Sequence, residues 1–232
     1  MKKYQGVSTL EVLEGAGQYN KWISSEIMRY ATGKIIEIGA GTGNISQFFI
    51  SKKDFHITEV DPDLVKLLRK RFPKIKSRIS TLDIEKKPPI TLKNKFDTLF
   101  SVNVLEHIEE DNKALENIYN LLTRKGKMVS LVPANQFAYT RLDKELGHFR
   151  RYNKKELESK LIKAGFVVEK VKFFNIIGLM TWITRDKVEK NNIHLKPYQI
   201  ALFDMMVPFL RIIEKLIPAP IGISLIVVAR KK

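Results

Sequence analysis

Apolar residues along this chain follow two rhythms in turn. Trp22, Ile23, Ile27, Met28 and Tyr30 recur at spacings of three and four, which predicts a helix within residues 8–31. Gly15-Ala16-Gly17 interrupts that segment, so its firm part is 19–30. The run Ile35-Ile36-Glu37-Ile38 then reads as a short buried strand, and strand-like runs return near 55–60, 75–82, within 95–108 as a strand running into a turn, and near 128–132, 166–174 and 225–230. Helical spacing fills the intervals at 44–50, from Pro62 through Leu68, at 109–122 and at 153–165. Asn153 with Glu156 predicts a capping box at the start of the last of these, and Gly165 its end. Strands alternating with helices predict an α/β fold on a mainly parallel sheet. The final strand, with alternate exposure to water, is expected to close the sheet as an antiparallel edge partner.

Two intervals break this regularity. Residues 134–152 follow the fifth strand and hold Asn135, Tyr139, Arg141, Asp143, His148, Arg150, Arg151 and Tyr152, too much chemistry for an idle connection. Residues 175–221 separate the last two strands. They carry an apolar group (Ile176, Ile177, Leu179, Met180, Trp182, Ile183), a basic patch, and an amphipathic helix over 197–217. Such an insertion serves as a lid over an apolar pocket, a dimer interface, or a contact with a membrane surface.

Composition narrows the field. The 232 residues, 44% of them hydrophobic, form one globular domain spanning 1–232 with a helical insertion. Absence of cysteine excludes disulfides, thiolate metal sites and a cysteine nucleophile. His56, His107, His148 and His194 show no metal-ligand spacing, so no metal is expected. The basic start, Met1-Lys2-Lys3, is followed by no apolar signal region, which makes the expected location cytoplasmic. The stretch 216–229 is interrupted by prolines and too short to span a bilayer. The net charge of +16 leans toward residues 141–232 and suits an anionic partner, whether nucleic acid or the inner face of a membrane.

The chemistry starts at Gly39-Ala40-Gly41-Thr42-Gly43-Asn44, a tight turn after the first strand that lets a ligand approach bare backbone. A dinucleotide fingerprint would carry its third glycine where Asn44 stands. Carboxylates at the end of the second strand, Glu59 and Asp61, lie about 20 residues on, where they can accept from both hydroxyls of a ribose.

Glu37 with Gly-x-Gly-x-Gly resembles motif I of the class I S-adenosylmethionine (SAM) dependent methyltransferases. Phe96-Asp97 through Ser101, Val104-Leu105-Glu106-His107 resembles the family's segment after strand four, and 121–133 its fifth-strand passage. Gly147-His148-Phe149-Arg150-Arg151-Tyr152 resembles the GHxRRY segment of a bacterial subgroup.

The resemblance implies a Rossmann-like seven-stranded, mainly parallel sheet with an antiparallel last strand. It also implies a SAM site built from Glu37, Gly39, Ala40, Gly41, Gly43, Asn44, Glu59, Val60, Asp61, Asp83, Ile84, Asn103 and Val104. Glu59 is preferred over Asp61 for the ribose, with Asp63 as helix cap. Asp83 would take the adenine amine and Ile84 pack on its ring. Tyr19 or Trp22 would lie near the methionine tail. His148 is then a candidate general base, and Tyr139, Arg150, Arg151 and Tyr152 candidate substrate contacts; the alternative is an internal Arg/Asp/His network around Asp143. His107 either meets substrate or packs at a helix start.

The implied reaction moves a methyl group to a small-molecule or lipid-linked acceptor and leaves S-adenosylhomocysteine. The alternatives are a nucleic-acid methyltransferase and a SAM-binding protein without turnover. The first lacks support after strand four, where Asn103-Val104-Leu105-Glu106 offers neither the proline nor the aromatic that base methylation uses. The chain is expected to act as monomer or homodimer.

Overall fold

The computed structural model describes residue 12 and residues 14–188, 196–217 and 219–232. The first residues of the expected N-terminal helix, part of the basic patch and His194 lie outside the described residues. Seven strands form one sheet: β1 (Ile35–Ile38), β2 (Phe55–Glu59), β3 (Ile79–Thr81), β4 (Phe96–Val102), β5 (Leu122–Pro133), β6 (Phe166–Phe174) and β7 (Ser224–Lys231), in the order β3-β2-β1-β4-β5-β7-β6. Pairs from β3 to β5 are parallel, and β7 runs antiparallel to both neighbours. This is the mainly parallel α/β sheet that the alternation of elements predicts.

Both faces of the central strands are covered, which explains their continuous apolar sequence. Ile36 and Ile38 of β1 point into a core shared with helices α3 (Asp111–Leu121) and α5 (Lys154–Lys163). Ile35 points into the opposite core, shared with α1 (Gly17–Met28), α2 (Pro62–Arg71) and α7 (Pro197–Leu216). A five-residue helix α4 (Arg141–Glu145) and α6 (Ile176–Val188) complete the helices used below.

Several boundaries differ from expectation for identifiable reasons. The chain after the glycine turn makes only a 3-10 turn, Ser46–Phe48, although its apolar spacing is helical. Residues 73–78 coil in 3-10 geometry to bury Ile75, leaving β3 three residues long. The expected turn at 124–127 is a bulge inside β5, where pairing jumps from Phe96↔Leu122 to Thr98↔Lys127 and Lys125 adopts φ 65°. The last strand is interior: β7 lies between β5 and β6, buried on both faces, and β6 holds the edge. Asn153 sits at the N-cap of α5 with no side-chain cap bond.

The topology fixes where a ligand can enter. The chain leaves β1 toward β2 on one side and crosses back from β3 to β4 on the other, so the loops after β1 and β4 part at the carboxyl ends of these neighbouring strands and leave a crevice.

Candidate active site

The crevice is a cavity of about 870 Å³, within the range of small-molecule sites. Its floor begins at the glycine turn. Gly39 has φ 67°, and a Cβ there would stand 2.6 Å from Val104 Cγ2, so this glycine lets the turn close against the loop after β4. Gly41 donates its N–H to Glu59 Oε2 at 2.7 Å. Gly43 faces away from the cavity; a Cβ there would meet Phe72 and Leu68, so its freedom serves packing and corrects its assignment to the cofactor.

Carboxylates mark the crevice. Glu37, 3% exposed on β1, accepts from Ser46 Oγ at 2.6 Å, and burial pushes its pKa up to about 8. Glu59 closes β2 and accepts from the amides of Gly41, Val60 and Asp61; burial still raises its pKa because desolvation outweighs those bonds. Asp61 is displaced from the expected role. Its Oδ1 accepts from the Asp63 amide at 2.9 Å as the N-cap of α2, and it does not line the cavity, so Asp61 is the cap that was expected at Asp63. Asp83, Ile84, Asn103, Val104, Val60, Ala40 and Asn44 all line the space. Asn103 turns the chain there in the left-handed region, at φ 52°.

The opposite wall comes from the insertion. Ile177, Thr181 and Trp182 of α6 and Tyr198, Leu202, Phe203 and Met206 of α7 face the strand ends. Two carboxylates of α7 pin the wall by capping other elements: Asp204 accepts from the amides of Gln18 and Tyr19, and Glu214 from those of Asn175 and Ile176. Tyr19 lines the cavity, packed against Phe174 and Phe203, and burial raises its hydroxyl to about 12. Trp22 lies in the core instead.

At the far end the residues of 134–152 sort into two groups. His148 lines the cavity with Nδ1 2.8 Å from Asp143 Oδ1, and its ring meets His107 edge to face at 4.6 Å. Arg151, 2% exposed, reaches the cavity but binds Asp143 and the Ala134 carbonyl and stacks under Trp182. Burial would raise Asp143, but His148 and Arg151 outweigh it and hold the carboxyl below its ordinary value.

Tyr139, Arg150 and Tyr152 do not line the cavity. Tyr139 donates its hydroxyl to the His148 carbonyl, while Arg150, Tyr152 and Lys160 converge on Asp111. Their polar groups are taken up in fixing the loop, which corrects their assignment as substrate contacts. Sequence reasoning also passed over Glu106. It is 0% exposed, neither carboxylate oxygen has a partner, and burial lifts its pKa to about 7. Its setting within a strand-to-turn passage gave no sign of that isolation.

Residues 36–128 match a family model described as a methyltransferase domain. The chain carries the methyltransferase domain of a SAM-dependent enzyme. It is 32% identical over 118 residues to a non-reducing polyketide synthase of Penicillium brasilianum, a match taking in 47% of this chain and 5% of that protein. Among solved structures, a SAM-dependent methyltransferase from Thermotoga maritima superposes with a TM-score of 0.63, at 16% identity over 99% of this chain and 98% of that one. The phosphoethanolamine N-methyltransferase 2 of Haemonchus contortus, solved with SAM, gives 0.59 at 16% identity over 90% and 52%. These last two likenesses speak for the fold.

The cavity of this methyltransferase suits its cofactor by chemistry. Carboxylates at Glu59 and Asp83 can accept from hydroxyl and amine donors, Val60, Ile84 and Val104 offer apolar faces, and Thr42 keeps a buried hydroxyl oxygen without a partner on the same lining. Among the described residues no helix is long and apolar enough to cross a membrane.

Proposed function

We propose that this methyltransferase acts on a small-molecule or lipid-linked acceptor that enters between the strand ends and the helices α6 and α7. The carrying observation is the continuity of the cavity, which joins Glu59 and Asp83 at one end to His107 and His148 at the other under a largely apolar roof. In this reading Glu59 takes the ribose, releasing the Gly41 amide as it does so. Asp83 takes the adenine amine, with Val60 and Ile84 against the ring. Gly39, Ala40, Gly41, Asn44, Asn103, Val104 and Tyr19 surround the amino-acid end, and Glu37 supports the turn beneath it through Ser46.

SAM supplies an electrophilic methyl group on a sulfonium whose sulfide is a good leaving group. The protein's share is alignment, and placing a bound acceptor in line can supply most of the acceleration. His148 is positioned to hold the proton lost by an acceptor hydroxyl or amine. Asp143 Oδ1 accepts from His148 Nδ1–H, which keeps the ring's own proton on Nδ1 and leaves Nε2 to take the proton from the acceptor. The lipid-linked option is supported by the outer face of α7, where Met205, Phe209, Ile212 and Leu216 stand exposed beside the cavity mouth on a strongly basic chain.

Incubation with labelled SAM and fractionated extract identifies the acceptor class by the fraction that takes up label, aqueous, lipid or nucleic acid. His148→Ala should lower kcat by ~10²-fold or more while calorimetry shows unchanged SAM affinity. Turnover within tenfold of wild type would assign His148 to structure. Absence of SAM uptake by the wild-type chain would end the proposal.

A further inference from the structure

We propose that Glu106, His107 and His148 form a binding site for one divalent transition-metal cation, with two imidazole nitrogens and a carboxylate as ligands. One potential ligand atom from each of the three lies within 4.8 Å of the others. Glu106 and His107 come from the 3-10 turn Leu105–His107 at the end of β4, and His148 from the loop after α4, so the fold rather than the spacing assembles the set.

Two independent features point to a ligand. First, the Glu106 carboxylate is fully buried and no other residue hydrogen-bonds to either oxygen, only its own amide lying close. Leaving such a group unmatched is costly, more so where it is charged, whereas a cation in front of it satisfies both oxygens. Second, the histidines are already held as metal-binding histidines are. Asp143 Oδ1 occupies His148 Nδ1 at 2.8 Å, and Asp143 is in turn fixed by Arg151 Nε at 2.9 Å, which turns His148 Nε2 outward as a lone pair. His107 is hydrogen-bonded to the backbone at Leu146 and Gly147, which sets its ring.

The donor set selects the class of ion. Magnesium and calcium prefer all-oxygen shells, whereas two imidazoles with one carboxylate suit Zn²⁺, Fe²⁺, Co²⁺ or Mn²⁺ with positions left open. Those positions face the cavity, because His107 and His148 line it.

The cation site stands without the methyl-transfer reading; its use in catalysis rests on that reading. An acceptor hydroxyl bound at an open position releases its proton to water as the O–H bond breaks. The metal-held oxygen then forms the new O–C bond while the S–C bond of the sulfonium breaks and the electron pair leaves with sulfur. With the cation bound, His148 is a ligand and no longer the base.

Cobalt titration of the purified full chain tests the site. The expected result is saturable uptake of one Co²⁺ per chain, with ligand-field absorption bands and two hyperfine-shifted imidazole N–H resonances in the wild-type protein. Glu106→Gln and His107→Gln should each weaken uptake by more than ~100-fold, and Asp143→Asn by ~10–100-fold, with SAM heats retained. No saturable uptake by wild type, no shifted imidazole resonances, or uptake unchanged in Glu106→Gln would overturn the proposal. Co²⁺ uptake without SAM uptake would leave the cation site standing and remove the methyl-transfer reading. SAM uptake without Co²⁺ would do the reverse.

Discussion

Glu37 shows how a single carboxyl in a sheet can set the pH response of the whole fold. An ordinary glutamate in the unfolded chain titrates at 4.5, but in the folded protein Glu37 holds its proton to about 8. Between these values the folded state binds more protons than the unfolded one, so stability falls as pH rises through that window. In the metal-free chain Glu106 adds a component of the same sign between 4.5 and about 7. Glu37→Gln keeps an acceptor for Ser46 and removes the titration. We therefore expect the melting temperature of wild type to drop by several degrees more than that of Glu37→Gln between about pH 5 and 8, since ~1 kcal/mol moves a domain of this size by ~2–4 °C. Parallel melting profiles would show that Glu37 ionises freely in the folded state. None of this was legible in the sequence, where Glu37 reads only as the polar residue of an apolar strand. The cap was expected at Asp63 and lies at Asp61 for the same reason: helix capping depends on which of two nearby carboxylates the backbone turns inward.

Elements were more legible than residues. Alternation placed β6 at Phe166–Phe174, and amphipathic spacing foretold a helix over 197–217 where α7 runs from Pro197 to Leu216, because each buries one face and exposes another. Where tertiary contacts compete with local spacing, the sequence misled. The segment after the glycine turn is tied back to β1 through Ser46 and Glu37, which holds it in a 3-10 turn in place of the helix its apolar residues suggest. Nor could pattern alone show that β7 would enter between β5 and β6, since an interior strand and an edge strand both carry β-branched runs.

The glycine turn itself makes a testable claim about close approach. Gly39→Ala forces a side chain into the left-handed region and to within 2.6 Å of Val104 Cγ2, which together should destabilise the chain by about 2–4 kcal/mol in urea unfolding. Adding Val104→Ala should recover the packing share and leave the backbone share. Strict additivity of the two substitutions would show that the turn and the β4 loop do not share this contact.

At the scale of the whole molecule, α7 links the roof of the cavity to the outside. Its inner residues wall the cavity, its Asp204 and Glu214 cap neighbouring elements, and its outer face presents Met205 at 67%, Phe209 at 70% and Leu216 at 75% exposure. Water is a poor neighbour for so continuous an apolar stripe. On a chain of net charge +16, a bilayer of anionic lipid meets both the stripe and the charge, and it would bring a lipid-linked acceptor to the cavity mouth. Co-flotation with vesicles containing anionic lipid should therefore be strong at low salt, weaken as salt screens the charge, and fall by about tenfold or more in Phe209→Glu, which places a charge within the stripe. Phe209 lies on the solvent side, so SAM affinity in that variant should match wild type. If sedimentation instead shows a stable dimer that Phe209→Glu dissociates, with no flotation in either protein, the stripe is a contact between two copies and the acceptor need not be lipid-linked.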